Sequence, residues 1–197
     1  MRVTGTLRIL VIDRNPERAG VVEQALKESG DYLVEVTPGT GHLLELLRVM
    51  QPDVLIVDLD LPDRDTIEQL RVATSEMPRP IVMFVDQSDT ETMKAAVSAG
   101  VSAYVVDGLQ GSRVRSIVEV AVVRFQAFDH LRRELELAKT SLVERKLIER
   151  AKGILMRARG ISEDEAYALL RRKAMRDQKK VVEIGQSVIT AAELLES

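Results

Sequence analysis

Residues 52–62, PDVLIVDLDLP, decide the fold: an apolar run at 54–59, broken only by Asp58, lies between two prolines. A run this short and this continuous fits a strand covered on both faces. Four similar runs occur, LRILVID at 7–13, YLVEV at 32–36, IVMFV at 81–85 and AYVVD at 103–107. Between them, 16–29, 42–50, 66–74 and 90–99 carry apolar residues three and four apart, with Gly, Pro or Asp near an end, as amphipathic helices do. The alternation predicts a doubly wound α/β domain of five parallel strands, whose site lies at the carboxyl ends of the strands. Asp13 and Asp58 fall at two of those ends.

A chain of 197 residues with 45% apolar and 30% charged residues suits one to two globular domains with a substantial core. It has no cysteine, and its two histidines, His42 and His130, are too few and too far apart for a histidine-based zinc site, so no metal site is expected. Without a histidine cluster, a cysteine nucleophile or a Gly-rich phosphate loop, enzymatic chemistry is not expected either. The opening MRVTGTLRILVID lacks the pattern of a signal peptide, and no stretch approaches the roughly 20 apolar residues of a membrane span. A soluble cytoplasmic chain without a membrane partner is the expectation.

Charge is distributed unevenly. Residues 145–180 carry 12 Lys and Arg against 5 Asp and Glu, whereas residues 1–128 carry 13 against 19. That contrast predicts a polyanionic partner for the tail and not for the body.

Between the two, Ile117, Ala121, Arg124, Phe128, Leu131, Leu135, Ala138 and Leu142 recur at alternating four- and three-residue steps, a heptad seam interrupted only by Arg124. No Gly or Pro occurs from 112 to 152, so the last helix of the α/β domain is expected to run on as a coiled-coil helix over 112–142. The seam is expected to pair two copies through Phe128, Leu131, Leu135 and Leu142, giving a homodimer. Packing back on the α/β domain is the other reading of the same pattern.

The tail reads as three helices. Gly160 stops the first, Ser162 and Glu165 form an S-x-x-E capping box for the second, which ends near Asp177, and the third covers 181–195. At 100° per residue, Leu147, Ala151, Ile154, Leu155 and Ala158 share one side of the first, with Arg145, Lys152, Met156 and Arg159 opposite. In the second, Ala166, Leu169 and Leu170 face inward while Arg171, Arg172 and Met175 face away; Arg176, Lys179 and Lys180 extend the basic set. Two basic faces, each with an exposed methionine, suit phosphate contacts flanking an apolar base contact on RNA. Tyr167 borders the apolar face, and core packing is the favoured reading for it over stacking on a base. Gly153 costs helix stability, which close approach of RNA or of another helix would explain.

PDVLIVDLDLP, Asp13 after the first strand and the run SAGVSAYVV at 98–106 resemble the receiver domain of two-component response regulators, over roughly 7–125. The resemblance implies a flavodoxin-like fold, with Asp58 as candidate phosphoacceptor and a magnesium ion held by it and by acids after the first strand, because phosphoryl transfer to a carboxylate needs a cation to offset the accumulating charge. The sequence departs from that pattern at three places. Arg14 stands at the second acidic position, Val85 at the hydroxyl position after strand four and Asp107 at the lysine position after strand five. An arginine beside Asp13 and Asp58 repels a metal, and Val85 offers no hydrogen bond to a phosphoryl group. Magnesium at Asp13 and Asp58 is therefore disfavoured, no cofactor is expected, and Arg14 is expected to pair with one of the two acids in a receiver that keeps the fold without obligatory phosphorylation.

AKGILM at 151–156, SEDEAY at 162–167 and LRRKAM at 170–175 occur in that order and resemble the ANTAR domain of bacterial transcription antiterminators. The resemblance implies an RNA-binding three-helix module that stabilises paired hairpins in leader mRNA and so prevents termination. With RPIVMFV at 79–85 and GVSAYVV at 100–106, the whole layout resembles the nitrate and nitrite assimilation antiterminators of NasT type. A nitrate- or nitrite-sensing protein is the implied regulatory partner. The expected organisation is a receiver-like domain at 1–125, a coiled-coil helix at 112–142 and the RNA-binding domain at 141–197. Two other classes stay open: a DNA-binding response regulator switched by phosphorylation at Asp58, and a phosphotransfer protein acting only through protein contacts. The first lacks a recognisable helix-turn-helix, and the second leaves the basic faces unexplained.

Overall fold

The computed structural model describes residues 6–28, 32–39, 43–106 and 110–195. Strands β1 (Leu7–Asp13), β2 (Tyr32–Thr37), β3 (Val54–Leu59), β4 (Ile81–Val85) and β5 (Ala103–Val106) alternate with helices α1 (Pro16–Lys27), α2 (Leu43–Met50), α3 (Arg64–Glu76) and α4 (Thr90–Ser98). Helices α5 (Gly111–Arg159), α6 (Glu163–Asp177) and α7 (Val181–Leu195) follow. The chain divides into two compact units whose boundary falls inside α5, at Asp129 and His130.

In the first unit all five strands are parallel in the order β2-β1-β3-β4-β5, the doubly wound arrangement expected. Successive side chains of a strand point to opposite faces, and that alternation sorts the core into two layers. Ile9, Val11, Ile56, Val82 and Phe84 pack with Val22 and Leu26 of α1 and Val114, Val118 and Ala121 of α5. Leu10, Ile12, Leu55, Val57, Met83 and Val85 pack with Leu43 and Leu47 of α2, Leu70 and Ala73 of α3 and Ala96 of α4. The edge strand β2 departs from the expectation of burial on both faces, since Leu33 and Val36 are exposed. Three helices start on side-chain caps: Asn15 accepts from the Glu17 and Arg18 N–H groups, Asp63 from Thr66 and Asp89 from Thr92. The Asp63 cap begins α3 two residues earlier than its apolar spacing suggests.

In the second unit, Ala151, Leu170, Ala174, Ile184 and Ile189 form a small core with Leu147, Ile148, Ile154, Leu155, Val181 and Val188 against it. Ala158, expected in this core, is exposed at the end of α5, one residue before the last helical position. Gly160 ends α5 with φ of 64°, and the Ser162–Glu165 capping box is formed in both directions. Close helix approach occurs at Gly185 and not at Gly153. A Cβ on Gly185 would lie 3.4 Å from the Ala151 Cβ and 3.7 Å from the Leu147 carbonyl oxygen, whereas one on Gly153 would meet only the Arg157 side chain.

Candidate functional site

β1 and β3 end in register, with Asp13 paired to Asp58, and both side chains are buried. They belong to the strand face that meets α1 and α5, because Ile9 and Val11 precede Asp13, and Ile56 precedes Asp58, at two-residue steps. Arg14, one residue on, is exposed, and its charge acts on Asp63, whose carboxyl is held below its usual range first by hydrogen bonds from Thr66 and further by Arg14. The expected pairing of Arg14 with Asp13 or Asp58 is therefore corrected. Arg18 takes that place, because α1 starts at Pro16 directly above these carboxylates and its first turn sends the Arg18 side chain back over them.

The Arg18 guanidinium touches four acids. Nη2 lies 3.5 Å from Asp13 Oδ1, Nε 3.6 Å from Asp58 Oδ2, and Nη1 3.0 Å from both Asp60 Oδ1 and Asp86 Oδ2. The Asn15 N–H donates to Asp13 Oδ1 at 2.7 Å. At 3.6 Å the contact with Asp58 is an ion pair and not a hydrogen bond, so both Asp58 oxygens, Asp13 Oδ2 and Arg18 Nε are buried without a hydrogen-bond partner. Burial, and then the neighbouring Asp13 charge, push Asp58 up to about 7, although Arg18 pulls the other way. Burial works against the Arg18 charge, but Asp58, Asp13, Asp60 and Asp86 outweigh it and raise its pKa. Val85 is fully buried at the end of β4 and presents no polar group, while Asp107 lies outside the described residues.

A magnesium ion, which the receiver resemblance implies, does not fit these residues. Mg²⁺ keeps several waters but needs one or two carboxylates at about 2.0–2.1 Å, and the carboxylates that would supply them, Asp13 and Asp58, already have the Arg18 guanidinium at 3.5 and 3.6 Å. The carboxylates stand instead around a planar guanidinium at 3.0–3.6 Å.

In the second unit the basic residues separate by burial. Lys152, expected on the outward face of α5, is only 7% exposed. Its Nζ donates to Glu149 Oε1 at 2.7 Å and to Glu163 Oε1, at the start of α6, at 2.6 Å, and these hydrogen bonds raise its pKa. Lys152 therefore joins two helices and is corrected as an outward-facing cation. Its stem is covered because residue 152 follows the buried Ala151 on a helix that α6 and α7 pack against. Arg145, Arg159, Arg171, Arg172, Arg176, Lys179 and Lys180 are exposed, Met156 is half-buried and Met175 is 71% exposed. Tyr167, expected to pack in the core, is instead 44% exposed. With Arg171 and Met175 it forms a stripe at four-residue spacing beside the buried row Ala166, Leu170 and Ala174. That four-residue spacing is visible in the sequence itself.

The heptad seam divides along its length. Ile117 and Ala121 pack into the first unit's core, whereas Phe128, Leu131, Leu135 and Leu142 are each more than half exposed.

Residues 9–119 match the response regulator receiver domain and residues 136–189 the ANTAR domain. The transcriptional regulatory protein PdtaR of Mycobacterium tuberculosis is 32% identical over 166 residues, covering 84% of this chain and 81% of PdtaR. The nitrate regulatory protein of Klebsiella oxytoca is 40% identical over 75 residues, covering 37% of this chain and 19% of that protein. A CheY-like receiver domain from Methanospirillum hungatei superposes with a TM-score of 0.56 at 21% identity, covering 62% of this chain and 98% of that one, a likeness of fold. Among the described residues, no helix is long and apolar enough to cross a membrane.

Proposed function

We propose a function from the premise that this chain belongs to the response regulator family, in the group that joins a receiver domain to an ANTAR domain: it is a cytoplasmic, RNA-binding transcription antitermination regulator. It binds paired hairpins in leader mRNA through the basic surface of α5 and α6. The observation that carries this reading is the composition of that surface, which lies within the ANTAR match. From 167 to 180 there are six Lys and Arg against one acid, Asp177, which pairs with Lys173. Exposed Tyr167 and Met175 are interleaved with them. Phosphates supply the sequence-independent attraction, while unstacked loop bases find an aromatic ring and an apolar tip. Such bases are available in hairpin loops and not in duplex DNA.

The exposed seam residues Phe128, Leu131, Leu135 and Leu142 support a homodimer that presents two RNA-binding units to two hairpins. The likeness of 75 residues to a nitrate regulatory protein supports nitrate or nitrite assimilation genes as the target. Control then comes from a nitrate- or nitrite-sensing partner docked on the receiver. The test is binding of the full chain to a two-hairpin leader RNA and to duplex DNA of equal length, each at two salt concentrations. Preference for the RNA at both salts is expected. Equal or tighter binding of the duplex assigns the basic surface to DNA and overturns the proposal.

A further inference from the structure

We propose that Arg18 is a tethered cation standing where a receiver domain would hold a divalent ion, so that the carboxylate pocket is compensated from within and does not take up magnesium. Four carboxylates surround it, from the carboxyl ends of three strands: Asp13 as the last residue of β1, Asp58 within β3, Asp60 just after β3 and Asp86 just after β4. Asp13 and Asp58 lie on the face of the sheet that meets α1, and the first turn of α1 places the Arg18 guanidinium against both. A guanidinium in the first turn of a helix opposes the helix dipole. The carboxylates offset that cost, and in exchange the charge is permanent, because a guanidinium does not lose its proton at any physiological pH.

The ion and the guanidinium exclude each other. A divalent ion bound by Asp13 and Asp58 would sit within contact distance of Arg18, and like charges repel most strongly where water is excluded. Metal entry therefore requires Arg18 to leave. The reverse follows from the same atoms. With Arg18 gone, both Asp58 oxygens and Asp13 Oδ2, already buried without a hydrogen-bond partner, would face the vacated space with no counter-charge. Those groups are oxygen donors of the kind a hard divalent cation takes. Arg18 is thus a specificity-determining residue: it makes the pocket a closed ion-pair cluster, and it withholds the cation that phosphoryl transfer to Asp58 would need. The inference does not rest on the RNA-binding reading, and either can fail without the other.

The test is Mn²⁺ binding to the full chain, read as loss of the free-ion EPR signal, for the parent, Arg18→Ala, Arg18→Lys and Arg14→Ala. The parent, Arg14→Ala and Arg18→Lys are expected to show no saturable site in the submillimolar range. Arg18→Ala is expected to gain one site at least about tenfold tighter, since only there is the buried carboxylate charge left uncompensated. Should Arg18→Ala fold only when Mn²⁺ is added, as judged by circular dichroism, that dependence supports the inference too. If it fails to fold under either condition, the parent and Arg18→Lys decide: weak, unsaturable binding in both supports the inference and a submillimolar site in either overturns it. A parent that binds one Mn²⁺ as tightly as Arg18→Ala also overturns it.

Discussion

Arg18 and Lys152 are each a cation held by more than one carboxylate, yet they hold different things in place. Arg18 is itself partly open to solvent and lies against Asp13 and Asp58, whose side chains are completely covered. Lys152 is the reverse, a covered stem whose ammonium meets Glu149 and Glu163, both more than half exposed. Water can take over from Lys152 in solvating its glutamates. Asp58 is completely covered, and among the described residues the only cation in contact with it is Arg18. The worth of an ion pair is set by what is left behind when one partner goes, and the two sites differ on that point.

The largest expected effect sits on the buried side of this comparison. Arg18→Ala should destabilise the chain in urea denaturation by up to about 3–5 kcal/mol, the cost of leaving buried charge unpaired, less what Asp58 recovers by taking up a proton. Arg14→Ala, at an exposed position, should stay within about 0.5 kcal/mol. Equal losses for the two arginines would return the pairing to Arg14.

Next in size is the effect of the seam. Replacing Leu131 and Leu135 together by glutamate should leave a folded monomer in sedimentation velocity and weaken two-hairpin RNA binding by roughly 10² to 10⁴, with single-hairpin binding little changed. A double variant that stays dimeric, or a monomer that binds the two-hairpin RNA as tightly as the parent, would remove the coupling.

Asp58 gives a pH-dependent effect whose sign can be worked out. Its pKa is about 7 in the fold and about 3.9 in an unfolded chain. The neutral carboxyl is thus favoured by folding, and its contribution is fully present below about pH 4 and lost as pH rises through about 7. Asp58→Asn stays neutral throughout, so it should gain on the parent across that window, by an amount on the order of a few kcal/mol at pH 8 and little at pH 4. Thermal melts at the two pH values measure this. A variant less stable than the parent at pH 8 would mean that the Arg18 contact outweighs the burial of the charge.

Much of this was legible in the sequence wherever the cause is local. The continuous apolar run at 54–59 reads as a covered strand, and the Ser162–Glu165 box announced α6 because both of its hydrogen bonds close within four residues. Arg18 was missed because its role depends on α1 turning back over β1 and β3. The two-residue parity that points Asp13 and Asp58 toward α1, and Arg14 away, was nonetheless readable. Lys152 was misplaced because one of its partners, Glu163, belongs to the next helix, and a single helical projection cannot show that contact. Tyr167 lies at the border of the apolar face of α6, where a projection cannot decide between core and solvent, and packing left it half open.

The smallest expected change is also the most direct test of the claim that burial and pairing, and not residue type, decide which cations of the tail reach RNA. The measurement is the slope of log affinity against log salt concentration for a two-hairpin leader RNA, with the parent, Arg172→Ala and Lys152→Ala. Loss of one phosphate contact should lower the slope by roughly one for Arg172→Ala and leave it unchanged for Lys152→Ala. An unchanged slope for Arg172→Ala, or a fall for Lys152→Ala as large as that for Arg172→Ala, would contradict the account.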